Sequence, residues 1–312
     1  QRPKAPLKLR WERVNQVTEA GGIPVIPYNF LALPHEQCRL DLAKAVLIPV
    51  PYDSTTSFRG GARDGPNAMI QASNGLEDYD AELDLDVSLV GIATTAALEP
   101  HMGGPEQMAQ RVRAAVAHYL TMGKLVGVMG GEHSLAAGAV QAHASVYPDL
   151  SVLYLDAHAD LRDEYMGTSW GHASGARRIH DICPLVLAGL RSMSEDERDY
   201  IKTNSLPVFN WPSGLDSAEF NKRIIDLLSP RVYISVDLDV LDPALMPAVG
   251  TPEPGGMGWG ELTGLLKEVA QSRQIVGFDV CELSPGDGPP ACAYTAAKLV
   301  YKLVAYATAF RE

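Results

Sequence analysis

This chain of 312 residues is poor in cysteine, poor in basic residues and free of long apolar stretches. Its four cysteines, Cys38, Cys183, Cys281 and Cys292, show neither C-x-x-C spacing nor the density of a disulfide-built secreted domain. That excludes a thiolate zinc module and points to a reducing, cytoplasmic setting. No apolar run approaches the roughly 18 residues of a membrane-spanning helix, and residues 1–20 are too charged for a signal-peptide core. Basic residues number 26 against 38 acidic, giving a net charge of −12, and they are scattered rather than striped. The balance argues against nucleic acid and favours a small cation as ligand. Low-complexity tracts, domain linkers and convincing internal repeats are absent as well.

What is present is a hydrophobic content of 46%, suited to one large α/β domain. Strand-like runs at residues 44–51, 88–94, 124–130, 151–155, 184–190, 206–210, 231–236 and 275–281 alternate with helical patterns. Helices are predicted over 104–122, with Met108, Val112, Ala115, Val116 and Tyr119 on one face, over 256–273, and over 291–310, with a Val300, Leu303, Val304 and Ala307 stripe. Residues 1–35, Pro-rich from 22 to 34, read as an N-terminal arm, and 36–312 as a single catalytic domain.

Three segments at the ends of apolar runs carry the chemistry: Gly130-Gly131-Glu132-His133-Ser134, Asp156-Ala157-His158-Ala159-Asp160 and Ser235-Val236-Asp237-Leu238-Asp239. Parallel strands joined by helices place ligands at the carboxyl edge of their sheet. The period of two then puts Asp156, His158 and Asp160 in one row and Asp237 with Asp239 in another. Each carboxylate alone reads as an ordinary helix cap, and each histidine as a hydrogen-bonded core residue. Together they do not, because four unpaired aspartates in one cleft are prohibitively costly without a compensating cation. Two imidazoles, four carboxylates and no thiolate favour a hard or borderline ion such as Mn²⁺ over structural Zn²⁺. Six ligands suit two such ions sharing carboxylates. Ni²⁺, Zn²⁺ and Co²⁺ are the alternatives.

These blocks resemble the signatures of the ureohydrolases, the family of arginases, agmatinases and related amidinohydrolases. Residues 51–66 (PYDSTTSFRGGARDGP), 250–256 (GTPEPGG) and 279–285 (DVCELSP) extend the resemblance, which runs from about residue 45 to 308. The resemblance implies a three-layer αβα arginase-like fold with a mainly parallel eight-stranded sheet, and a homo-oligomer, trimer or hexamer. It implies that His133 and His158 each bind one ion, that Asp156 and Asp237 bridge, and that Asp160 and Asp239 complete the shell. It further implies attack on a guanidino carbon by a metal-bridging hydroxide, with Asp160 passing a proton to the departing amine. Glu282 would clamp the guanidinium group and His172 would shuttle protons or contact substrate.

The substrate is less sharply marked. Arginase-type enzymes carry an Asn in the loop that here reads Leu161 to Trp170, and this chain lacks it. Asp163 and Glu164 would supply negative charge near the mouth, with Tyr165 and Trp170 as faces for a cationic or aliphatic tail. That favours agmatine, hydrolysed to putrescine and urea, with N1-aminopropylagmatine a close alternative. A guanidino acid such as guanidinobutyrate or arginine is the other, if Arg59 faces the pocket. Ala173-Ser174 departs from the Gly-Thr that many agmatinases carry after the shuttle histidine. Arg177 and Arg178 read as structural ion pairs, Glu132 as support behind the ligands, and Cys281 as a buried strand cysteine. A metal-dependent deacetylase would need a His-His pair, which this chain lacks, and a non-catalytic scaffold would be expected to have lost ligands.

Overall fold

Apolar runs without polar alternation form strands where both faces of a sheet are covered. The computed structural model, which describes residues 18–19 and 23–310, uses all eight expected runs in this way. They are β1 (Ala45–Val50), β2 (Ile92–Thr94), β3 (Leu125–Gly130), β4 (Leu150–Leu155), β5 (Leu185–Leu190), β6 (Val208–Asn210), β7 (Arg231–Asp237) and β8 (Gln274–Cys281). The strands join in the order β6-β5-β4-β7-β8-β3-β1-β2, and every pairing is parallel. Parallel neighbours need crossover connections, and each of the seven carries a helix: α1 (Gly65–Ser73), α2 (Pro105–Leu120), α3 (Ala136–Ala144), α4 (Gly175–His180), α5 (Glu195–Asn204), α6 (Ser217–Leu227) and α7 (Trp259–Ser272); α8 (Ala291–Ala309) follows the last strand.

Side chains divide at the sheet into two cores. Leu47, Leu153, Leu155, Ile234 and Val236 pack against α1, α6, α7 and α8. Val46, Ile48, Val152, Tyr154 and Tyr233 pack against α2, α3, α4 and α5. Three layers result, as the resemblance implies. Local signals explain several boundaries: Pro105 opens α2 with its missing N–H at no cost, and Ser194 with Glu197 closes a capping box at the start of α5. Helix α8 is buried almost all round rather than along one stripe, and includes Lys302. The Lys302 Nζ lies 2.6 Å from both Asp80 Oδ2 and Glu82 Oε2, fastening a short hairpin at residues 79–86 to the helix.

Two expectations change in detail. Within 88–94 only Ile92–Thr94 is strand, because Asp86 caps a 3₁₀ turn over Val87–Val90 and Gly91 leaves it at φ 74°. Much of the arm expected over residues 1–35 lies outside the described residues, but its end is anchored, with Phe30, Leu31 and Leu33 buried. No described helix is long and apolar enough to cross a membrane.

One core contact carries a pH dependence. His143 on α3 is wholly buried, its Nδ1 2.8 Å from the Ala139 carbonyl, and Nε2 has no hydrogen-bond partner among the described residues. A Cβ at Gly277 of β8 would lie 2.1 Å from that Nε2, so only glycine leaves room for the ring. Burial lowers the His143 pKa to about 4. The unfolded chain, with an ordinary imidazole, binds the proton first, so this contribution to stability is complete above pH 6.5 and is lost as pH falls towards 4. At pH 5 the loss is about 2 kcal/mol. Denaturant titrations at pH 7 and pH 5 are expected to show a smaller acid destabilisation in His143→Gln than in the natural chain; equal losses would refute the assignment.

Candidate metal centre

The central strands of the sheet are β4, β7, β8 and β3, in that spatial order. Each ends in one of the blocks: β4 runs into Asp156, β7 ends at Asp237, β8 is followed by Glu282, and β3 leads to His133. Residues separated by up to 149 positions therefore meet at one carboxyl edge, and the His133 N–H donates to Glu282 Oε1 at 2.7 Å. The β3 turn is held by a backbone approach. A Cβ at Gly131 would sit 2.0 Å from the Tyr52 carbonyl, which accepts from the Glu132 N–H at 2.8 Å.

Six of the expected residues form one cluster. His133 Nδ1 lies 3.0 Å from Asp156 Oδ2, 3.3 Å from Asp237 Oδ2 and 3.9 Å from Asp160 Oδ2. His158 Nδ1 lies 2.9 Å from Asp239 Oδ2 and 3.6 Å from Asp156 Oδ1. Among the described residues three groups of donors have their atoms within 4.8 Å of one another: one joins His133 to Asp279 and Cys281 behind the cluster, and the other two are ligand triads drawn from the six residues alone, His133-Asp156-Asp160 and Asp156-His158-Asp239. The two triads share Asp156. Asp160 and Glu282 adopt φ values of 50° and 69°, a left-handed backbone that L side chains adopt at a cost of order 1–3 kcal/mol.

The electrostatics demand positive charge. Burial raises the Asp160, Asp237 and Asp239 carboxyl pKa values, and neighbouring aspartates raise them further. Glu282 is raised by burial and then by Asp237. Burial alone would lower both imidazoles, yet Asp156 and its neighbours lift His133 well above its ordinary value and push His158 up to about 12. The donor set, imidazole nitrogen and carboxylate oxygen without thiolate in either triad, fits hard or borderline divalent ions.

Beside the cluster lies a cavity of about 250 Å³, lined by His158 and Asp160 and walled by Ser57, Arg162, Tyr165, Ser192, Met193, Ser194, Glu197 and Thr251. The expected tail residues divide here. Tyr165 lines the cavity and meets the His172 ring edge-on at 6.2 Å. Asp163 does not line it; the side chain is exposed and paired with Arg178 at 2.9 Å and Arg177 at 3.5 Å. Glu164 is exposed away from the lining, and Trp170 packs against the second core. Arg59 is spent on the Val249 and Gly250 carbonyls and on Asp287. The arginine at the cavity is Arg162, whose guanidinium lies 4.7 Å from the Tyr165 ring centre. The reading of an acidic mouth is therefore corrected, because α4 folds back and brings two guanidinium groups to Asp163.

His172 sits between two hydroxyls, Thr55 Oγ1 and Ser57 Oγ, each 3.2 Å from a ring nitrogen. Burial and the nearby His158 charge lower its pKa, so the ring is neutral near pH 7. Glu132 fixes the loop that brings those hydroxyls, accepting from the Ser54 and Thr55 N–H groups at 2.7 Å. Tyr154, Ser57, Glu197, Arg162 and Thr251 escape a sequence reading. Tyr154 is hidden within the apolar run of β4, yet its hydroxyl donates to Asp160 Oδ2 at 2.8 Å. Ser57 and Thr251 do lie inside blocks that carried the resemblance.

Comparison with known proteins agrees with this geometry. Residues 43–305 match the arginase family. The N(1)-aminopropylagmatine ureohydrolase of Thermus thermophilus is 39% identical over 84% of this chain and 89% of its own length. The agmatinase of Bacillus subtilis is 32% identical over 84% of this chain and 91% of its own length. Among solved structures, the agmatine ureohydrolase of Thermoplasma volcanium superposes with a TM-score of 0.82 at 30% identity, covering 91% of this chain and 95% of that one.

The shared carboxylate sets a stoichiometric test. Asp239→Ala is expected to remove one of two Mn²⁺ ions per chain, and Asp156→Ala to weaken both, by elemental analysis after desalting. Identical losses in the two variants would contradict a shared Asp156.

Proposed function

This chain belongs to the arginase family and is a ureohydrolase, a hydrolase of guanidino groups, and from that premise we propose that it releases urea from a linear guanidino cation with an amine tail. The observation that carries the reading is the pair of triads sharing Asp156, opening on a cavity with Glu282 alongside. The family depends on a binuclear metal centre, and Mn²⁺ suits these donors. Two bound divalent ions supply a nucleophile from water at neutral pH and neutralise the clustered carboxylates.

The residues divide the remaining work. Glu282 spends one carboxylate oxygen on the His133 N–H, which leaves the other for a guanidinium N–H, a charge-assisted hydrogen bond. Asp160, oriented by the Tyr154 hydroxyl, takes a proton from the attacking water and gives it to the departing nitrogen. The bond to the tail nitrogen breaks, urea forms, and the tail leaves as an ammonium. His172, neutral and held between Thr55 and Ser57, accepts or returns a proton at Nε2 beside the cavity.

Agmatine, yielding putrescine, fits the removal of the arginase-type Asn. N1-aminopropylagmatine is favoured by a specific observation, the higher identity to the relative of that name than to the agmatinase. Arg162 and Glu197 both line the cavity, and an ammonium tail would be attracted by the Glu197 carboxylate and repelled by the Arg162 guanidinium. With manganese-loaded protein, kcat/KM for N1-aminopropylagmatine is expected to exceed that for agmatine, and both to exceed arginine and 4-guanidinobutyrate by more than tenfold. Preference for a carboxylate-bearing compound would overturn the reading. Asp160→Asn is expected to keep most bound metal while kcat falls at least about a hundredfold, the scale of general acid–base catalysis; parallel loss of metal and turnover would reduce Asp160 to a ligand.

A further inference from the structure

One face of β7 and β8 carries a row of side chains that the reaction does not use. Their parallel register sets Ser235 opposite Asp279 and Tyr233 opposite Gly277, and Ser235 also pairs across to Tyr154 on β4. Ser235, Asp279 and Tyr233 are wholly buried. A carboxylate in that position is costly unless its charge has a task. The Asp279 Oδ2 atom has no hydrogen-bond partner among the described residues. Its Oδ1 accepts from the Ser235 hydroxyl at 3.0 Å and from the Cys281 thiol at 3.6 Å.

The direction of the first bond decides the next one. Since the Ser235 proton goes to Asp279, the Ser235 oxygen accepts from His133 Nε2, which lies 2.8 Å away. Nε2 therefore carries a hydrogen, which leaves Nδ1, 3.0 Å from Asp156 Oδ2 and 3.3 Å from Asp237 Oδ2, as the nitrogen that would hold a cation in place of a proton. Asp279 Oδ1 is itself 3.6 Å from Nε2, close enough to stabilise the positive charge that a ring acquires when Nδ1 binds a cation. Among the described residues nothing equivalent supports His158. Its side chain is 25% exposed, and its Nε2 is 3.9 Å from a Glu253 carboxylate that is 38% exposed.

We propose that Ser235 and Asp279 are positioning residues that select the His133 tautomer and strengthen the ion held by His133, while leaving the ion held by His158 alone. Polar partners of a metal-bound histidine typically govern metal affinity by 10- to 100-fold. The inference rests on the metal reading above, and calorimetry separates the two. A natural chain that takes up no Mn²⁺ would sink the metal reading.

The test is Mn²⁺ titration of metal-free full-length protein carrying Ser235→Ala, Asp279→Asn or both. In an Asp239→Ala background, where the His133 ion remains, each single substitution is expected to weaken binding 10- to 100-fold. The double is expected to weaken it no more than the stronger single, because the two residues form one chain. In a His133→Ala background the same substitutions are expected to leave the affinity of the His158 ion within twofold. Equal weakening in both backgrounds, additive effects, or none would overturn the proposal. Ser235→Ala removes only a hydroxyl, and an unchanged melting temperature of the metal-free protein separates its effect from misfolding.

Discussion

The structure turns on the repulsion among carboxylates brought together where water is excluded. Asp156, Asp160, Asp237 and Asp239 are all buried at the carboxyl edge of four neighbouring strands. Each raises the cost of ionising the next, so an edge of this kind is stable in ionised form only around positive charge. Two imidazoles complete a donor set for cations, and a guanidinium substrate answers the same field. Metal binding and substrate choice are thus consequences of one electrostatic constraint.

The rest of the fold keeps these groups from relaxing apart. Parallel pairing fixes the four strand ends at neighbouring positions, and the two cores hold the sheet between layers. Loops that would otherwise move are tied by side chains: Glu132 holds the loop bearing Thr55 and Ser57, and Glu197 accepts from the Leu161 N–H. Left-handed backbone at Asp160 and Glu282 is retained because the surrounding contacts over-determine it.

The sheet and the gathering of the six candidate ligands were legible because each depends on short-range pattern. An apolar run ending in Asp-Ala-His-Ala-Asp is a strand reaching an edge, and three such runs predict one cluster once the strands are parallel. What was not legible depends on encounters between distant segments. Asp163 reads as a free carboxylate until α4 brings Arg177 and Arg178 to it. Arg162 gives no sign of reaching the cavity, and Tyr154 looks like one more core aromatic in an apolar strand. Residues 88–91 are apolar enough for a strand, but the Asp86 cap and Gly91 impose a turn. Ser235 and Asp279 lie 44 positions apart, and only the register of β7 on β8 sets one against the other.

Diffraction from manganese-loaded crystals, with anomalous scattering used to locate the metal, tests the central claim most directly. Two peaks flanking the Asp156 carboxylate are expected, separated by about 3.5–4 Å as in two-metal hydrolases. A single peak at full loading, or two peaks with no shared carboxylate, would contradict the claim.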